Sequence, residues 1–218
     1  MDTYSDDEQI ERLKQWWQDN GVTLLASIVI SLAAIFGWRN WQDGQQANID
    51  AASIAYQDLL ESVAALENNA DDIKIASAIF KAESLKLQNE TSAYAHFAAF
   101  FKARQAVLDE DYVSAEEELT WVLNHKPSLQ LKAVAQLRLA KVLVAKGDSV
   151  AALDLLVGSE DGIMEYAKAE LKGDILLNDK DFVAAVDAYE QAQTLASALQ
   201  IRSSQTLDLK LNHARSFL

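Results

Sequence analysis

Segment 21–38 most constrains what this chain can fold into, because its 18 residues carry no formal charge. A helix over this segment is about 27 Å long at a rise of about 1.5 Å per residue, close to the hydrocarbon thickness of a bilayer. Pairs of tryptophans stand at its two ends, and indole rings favour the membrane–water interface. The sequence therefore predicts one transmembrane helix over residues 21–41, with interface anchors at Trp16, Trp17, Trp38, Arg39 and Trp41.

Two other structures compete for this apolar segment. A core helix of a globular domain usually keeps a polar stripe, and paired tryptophans at both ends would then have no role. A cleavable signal peptide begins with a basic region, whereas residues 1–20 hold six acidic and only two basic residues. We therefore expect a retained anchor. Residues 1–20 form a short acidic segment that is either an interfacial helix ending in a bend at Asn20-Gly21 or a simple helical extension of the anchor. A second relaxation of the helix is expected near Gly44.

The orientation of the anchor follows from the basic residues beside it. Arg12 and Lys14 precede the span and Arg39 follows it, and the side richer in Lys and Arg stays in the cytoplasm. This count of two against one places the N-terminus in the cytoplasm and residues 42–218 on the other side of the membrane.

Composition excludes several classes of function. The net charge of −14 disfavours binding to nucleic acid, and the lack of cysteine excludes disulfides and thiolate chemistry. The histidines, His96, His125 and His213, lack metal-site spacing, and we expect His96 to pack or to face solvent. No phosphate-binding loop, dinucleotide fingerprint or nucleophile turn occurs. We therefore predict no catalytic residue, no metal and no cofactor, and a protein that is not an enzyme.

The rest of the chain reads as an all-α fold with internal repeats. Three helix–turn–helix units, about residues 92–127, 132–159 and 166–193, align around their turns when Tyr112, Ser149 and Phe182 are superposed. The aligned sets are Ala103, Ala140 and Gly173; Ala115, Ala152 and Ala185; and Leu119, Leu156 and Tyr189. This pattern resembles the tetratricopeptide (TPR) repeat, whose period is about 34 residues. It predicts a TPR-like α-solenoid over residues 42–218; the alternative is a non-repetitive helical bundle.

Three details complete the predicted solenoid. Residues 47–87 can form a degenerate fourth unit, and residues 194–218 a C-terminal cap. Asp71 or Asp72 is the predicted N-cap of a helix over 73–87. The residues that this helix is expected to bury are Ile75, Ala76, Ile79, Phe80 and Leu87.

The predicted partner-binding surface is the concave face of the solenoid, which the first helix of each unit lines. The residues expected there are Phe97, Phe100, Arg104, Leu137, Lys141 and Asp174. Apolar residues mixed with both signs of charge suit an extended peptide or a partner's helix. Burial between helices is an equally open interpretation for Phe97 and Leu137.

Local motifs also indicate a family. Paired aromatics followed by Asp19-Asn20-Gly21 precede the span, Gly37-Trp38-Arg39-Asn40-Trp41 leaves it, and Ala51-Ala52-Ser53-Ile54-Ala55-Tyr56-Gln57 follows. Leu131-Lys132-Ala133-Val134 and Leu137-Arg138-Leu139-Ala140 complete the pattern. With these motifs the chain resembles the YfgM family, the ancillary subunits of the bacterial Sec translocon, over nearly its whole length.

The resemblance implies a bacterial inner-membrane protein with a cytoplasmic N-terminus and a periplasmic repeat domain. It implies association with the SecYEG translocon and with a membrane-anchored periplasmic chaperone of the prolyl-isomerase type, and help in passing unfolded client polypeptides to such chaperones. No catalytic residue is implied. The alternative is a cell-envelope scaffold or regulator that docks or sequesters another protein.

Overall fold

In a computed structural model, the chain is described over residues 6–68, 71–90, 92–157, 163–203 and 205–218, so residues 1–5 of the predicted acidic segment lie outside the description. Over these ranges all regular structure is helical, which confirms the all-α prediction. The chain divides into two compact units, residues 1–51 and 52–218. The helices are α1 (Asp6–Asn68), α2 (Asp72–Gln88), α3 (Ala93–Leu108), α4 (Tyr112–Asn124), α5 (Leu129–Ala145), α6 (Ser149–Leu155), α7 (Ile163–Asn178), α8 (Phe182–Ala198) and α9 (Gln205–Arg215).

The first unit consists of the N-terminal part of α1. Over the described ranges, α1 alone is long and apolar enough to cross a membrane, and only 6% of its most apolar window is buried. The expected interruptions at Asn20-Gly21 and Gly44 are wrong, because α1 stays helical through both. A single glycine costs a helix only about 1 kcal/mol. At Gly21, moreover, the Trp17 ring lies over the backbone, 3.1 Å from where a Cβ would stand.

The second unit contains the rest of α1 and α2–α9. Helices α3 and α4, α5 and α6, and α7 and α8 pack as successive pairs, and α9 packs on α8 and α7. The predicted pairing of helices is therefore present. The limits proposed for each repeat and for the domains stay predictions.

The three predicted turns share one geometry. An aspartate (Asp111, Asp148 or Asp181) caps the second helix by accepting a hydrogen bond from the backbone N–H three residues later. The residue before each aspartate has a positive φ: 57° at Glu110, 87° at Gly147 and 64° at Lys180. Each aspartate N–H also donates to a carbonyl five residues earlier, at 2.8–2.9 Å. This closes the first helix of the pair as a left-handed C-terminal motif does.

The predicted burial on α2 is wrong at three of its five residues, while Ile75 and Ile79 are half-buried. Asp71 caps the helix as expected, through a 2.8 Å hydrogen bond from the Lys74 N–H. However, Phe80 is 72% exposed and Leu87 is 63% exposed, and Ala76 is exposed as well. The buried residues are Ala78, Ala82, Leu85 and Lys86. The reason is close packing, because alanines allow α2 to approach its neighbours more closely than large side chains would.

A partly buried ion-pair network joins α2, α3 and α4. Glu118 contacts both Lys86 and Lys102, and Glu83 contacts the same two lysines. Burial alone would lower the pKa of Lys102, but hydrogen bonds to Glu118 and Glu83 outweigh burial and raise it. The Lys86 ammonium also lies 5.1 Å from the centroid of the Trp121 ring. The network gives two poorly exposed lysines carboxylate partners.

His96 is a packing residue. It is buried at the start of α3, and its Nε2 lies 3.0 Å from the His125 carbonyl oxygen. Burial lowers its pKa. The Trp121 ring contacts both histidines, with its centroid 6.0 Å from that of His96 and stacked at 4.0 Å on that of His125. These contacts join the start of α3 to the end of α4.

A close contact between Gly173 of α7 and Tyr189 of α8 holds the two helices of the third repeat together. A Cβ at Gly173 would lie 2.4 Å from the ring of Tyr189, which is fully buried. The Tyr189 hydroxyl donates to Asp174 Oδ1 at 2.8 Å. Lys210 of α9 then binds Asp174 at 2.8 Å and Glu170 at 2.9 Å, and so holds the last helix over this repeat.

We expect Glu118→Gln to lower the free energy of unfolding by about 2–3 kcal/mol, because it weakens the pairing of the buried Lys86 and the half-buried Lys102, which then rely on Glu83 alone. Glu117→Gln is the matched control, since Glu117 is an exposed neighbour on the same helix and should change stability by under about 0.5 kcal/mol. Urea unfolding of the full-length protein in detergent micelles, followed by circular dichroism, measures both. Equal losses in the two variants would contradict a stabilising network.

We expect Gly173→Ala to destabilise the protein by about 1–2 kcal/mol. Overpacking costs about 1–3 kcal/mol, and the higher helix propensity of alanine offsets up to about 1 kcal/mol of that cost. The same change in a Tyr189→Leu background should be neutral or stabilising. With both changes, the third repeat has the same alanine–leucine combination as the first two repeats. Urea unfolding of the four proteins gives the coupling energy, and a coupling of zero would exclude the steric explanation.

Candidate partner-binding groove

Two neighbouring cavities form a groove in the second unit. The larger one, about 630 Å³, lies among residues 56–66 of α1, Ile75 of α2, α3 and Arg138 of α5. The smaller one, about 310 Å³, lies among α3, α4 and α5. The residues that line both are Phe100, Arg104, Leu108 and Arg138. The two cavities therefore form one groove with a shared middle.

Helix α3 supplies more of the groove than any other helix because of its residue spacing. Phe97, Phe100, Arg104 and Leu108 follow each other at intervals of three and four, which places them on one face of a helix. Phe100 is buried and forms part of the core, whereas Arg104 and Leu108 are exposed. This face of α3 thus presents the apolar side chain of Phe100 next to the positively charged side chain of Arg104.

Aromatic side chains form one end of the groove. The Tyr56 ring of α1 lies 5.3 Å from that of Tyr94 and 5.7 Å from that of Phe97, measured between centroids. Such tilted pairs are favourable beyond the area that they bury. They fix the orientation of Tyr56 and Phe97, which both line the larger cavity.

Arg138 marks the middle of the groove. Its guanidinium carbon lies 4.7 Å from the centroid of the Phe100 ring, within the range of a cation–π contact. The sequence prediction omitted this residue. Its spacing of three residues before Lys141 on the same helix is the signal that could have found it, because such residues share a face.

The structure brings together four of the six residues predicted for the concave face. Phe97, Phe100, Arg104 and Lys141 all line the groove. Leu137 is half-buried and packs against the core instead. Asp174 accepts a hydrogen bond from Tyr189 and pairs with Lys210, so its carboxylate is already engaged within the chain. Whether a partner touches any of the six stays a prediction.

The walls of the groove combine apolar side chains with positive charge. They consist of aromatic and aliphatic side chains with Gln105 and three cations, and neither cavity has an aspartate or glutamate among its described lining residues. This surface can bind apolar side chains by desolvation and can donate hydrogen bonds from Arg104, Arg138 and Lys141.

Comparisons with known proteins give a consistent result. The model of the tetratricopeptide repeat-like domain family matches residues 14–216. A protein of Haemophilus influenzae named ancillary SecYEG translocon subunit is 32% identical over 208 residues, covering 95% of this chain and 97% of the relative. Proteins of the same name from Aggregatibacter actinomycetemcomitans and Escherichia coli K12 are 31% and 29% identical, with 97–98% of each chain covered. No solved structure matches the chain.

Proposed function

This chain belongs to the tetratricopeptide repeat-like domain family and to the family of ancillary SecYEG translocon subunits, and on this premise we propose that it is a non-enzymatic interaction protein that works beside the SecYEG translocon. The observation that carries the proposal is the apolar groove of the repeat domain. It offers a surface for polypeptide on a chain that also has an exposed, membrane-length helix.

We propose a single-pass topology in the bacterial inner membrane, with the N-terminus in the cytoplasm and the repeat domain in the periplasm. The exposed apolar part of α1 supports a lipid environment, because burial of such a surface in water-free hydrocarbon is favourable. Trp38 and Trp41, whose ring centroids are 5.2 Å apart, suit the interface where the helix leaves the bilayer.

We propose further that the groove receives polypeptide during secretion. Its occupant is a segment of an unfolded client or of a membrane-anchored periplasmic chaperone of the prolyl-isomerase type. Binding there would keep a newly exported chain close to the translocon until a periplasmic folding factor takes it. Shape and chemistry support this step, since an apolar trough with a few donors fits extended or helical peptide.

The association with the translocon is tested by co-purification. We expect the tagged full-length protein, extracted from membranes in mild detergent, to recover SecYEG subunits together with a periplasmic chaperone identified by mass spectrometry. Recovery of a different envelope complex without SecYEG would contradict the proposed role.

The role of the groove is tested by site-specific photo-crosslinking. Leu108 lines both cavities and is 61% exposed, and Val183 on α8 is equally exposed but lines neither cavity. A photoreactive residue at position 108 should form adducts with newly secreted polypeptides or a periplasmic folding factor, and the same residue at position 183 should form few. Equal yields at both positions would show that contact does not depend on the groove.

A further inference from the structure

The groove differs from the rest of the chain in the sign of its charge. The full chain carries a net charge of −14. The charged side chains among the described residues of the groove walls are nevertheless all cations: Arg104, Arg138 and Lys141. A cationic trough in an acidic protein attracts anionic groups locally while the remaining surface repels them.

These three cations are also free of ion pairs within the described ranges. Elsewhere in the repeat domain, lysines form ion pairs with carboxylates of the chain itself. Lys102 binds Glu83 and Glu118, and Lys210 binds Glu170 and Asp174. Arg138 contacts the Phe100 ring but no carboxylate of the residues that the structure describes. The groove therefore keeps its positive charge available to an occupant.

The positions of the cations define a pattern along the groove. Arg104 and Arg138 line both cavities, so they stand where the two meet, and Lys141 lines the smaller one beside them. Apolar walls extend to either side of this point. One side contains Tyr56, Val63 and Phe97, and the other contains Tyr112 and Ala145.

We propose that the groove selects a segment of a partner protein in which carboxylates stand between two apolar side chains. The apolar side chains fill the two cavities, and the carboxylates pair with the cations at their junction. Arginine suits this role because its planar guanidinium binds carboxylate through two parallel hydrogen bonds. The inference deepens the proposed function and rests on it, because it assumes that the groove receives polypeptide.

Peptide binding tests this selectivity. Full-length protein in nanodiscs of zwitterionic lipid is titrated into three fluorescent peptides of about 12 residues, enough for about three turns of helix. All three share the same flanking apolar residues, and the central pair is Asp-Glu, Asn-Gln or Lys-Lys. Fluorescence anisotropy should show the acidic peptide binding about tenfold tighter than the amide peptide, since exposed ion pairs each contribute modestly. The lysine peptide should bind most weakly, and added salt should reduce the difference.

Charge reversal identifies the cations. Arg104→Glu/Lys141→Glu should abolish the preference for the acidic peptide and favour the lysine peptide. Arg138 is left intact because it also packs on Phe100. Lys132→Glu/Arg202→Glu is the matched control, because it makes the same change in net charge at two exposed residues outside both cavities. The control should keep the native preference, and circular dichroism should show equal helix content in all proteins.

The outcomes separate this inference from the function on which it rests. Equal binding of the acidic and amide peptides would overturn the charge selectivity while leaving a polypeptide groove in place. Equal loss of preference in both double variants would assign the effect to overall charge and would also overturn it. Absence of binding by any peptide, together with absence of adducts at position 108, would remove the groove from the proposed function itself.

Discussion

Close approach between paired helices is the constraint on which the repeat domain depends. At each crossing a small residue on the first helix and an alanine on the second are buried: Ala103 with Ala115, Ala140 with Ala152, and Gly173 with Ala185. A larger side chain at any of these positions would push the backbones apart, because interiors are packed at the density of organic crystals. The floor of the groove depends on the same spacing, since Phe100 and Leu119 fill the space that the small residues leave.

The helix pairs could be predicted from sequence because their signals are local. Each turn is specified by an aspartate cap, a left-handed residue before it and alanines at fixed spacing. Glu110 and Lys180 adopt the left-handed conformation without being glycine, so the cap and the packing outweigh the cost of a side chain there. The buried face of α2 could be predicted only in part, since Ile75 and Ile79 are half-buried but three other predicted residues are exposed. Counting large apolar residues favoured Phe80 and Leu87, whereas packing favours the side with Ala78 and Ala82.

The groove was only partly predictable, because its edges depend on contacts between residues that are distant in sequence. Phe97, Phe100 and Arg104 follow from the position of α3 as the first helix of a repeat. Asp174 has the same kind of position in the third repeat, but Lys210, 36 residues later, engages its carboxylate. Arg138 depends on a contact with Phe100 of another helix. Helical periodicity predicts the direction in which a side chain points, but it does not predict which residues of other helices contact that side chain. The charge pattern of the groove could therefore be seen only in the folded structure.

Helix α9 limits how an array of this kind can change its length. It buries Leu207, Leu211 and Ala214, and its Lys210 is held by two carboxylates of the third repeat. The surface that another repeat would need for stacking is therefore occupied. Gene duplication could lengthen the array by inserting a unit between existing helix pairs, where each new face meets a matching one. A unit added after α9 would have to displace this helix before it could stack on the third repeat.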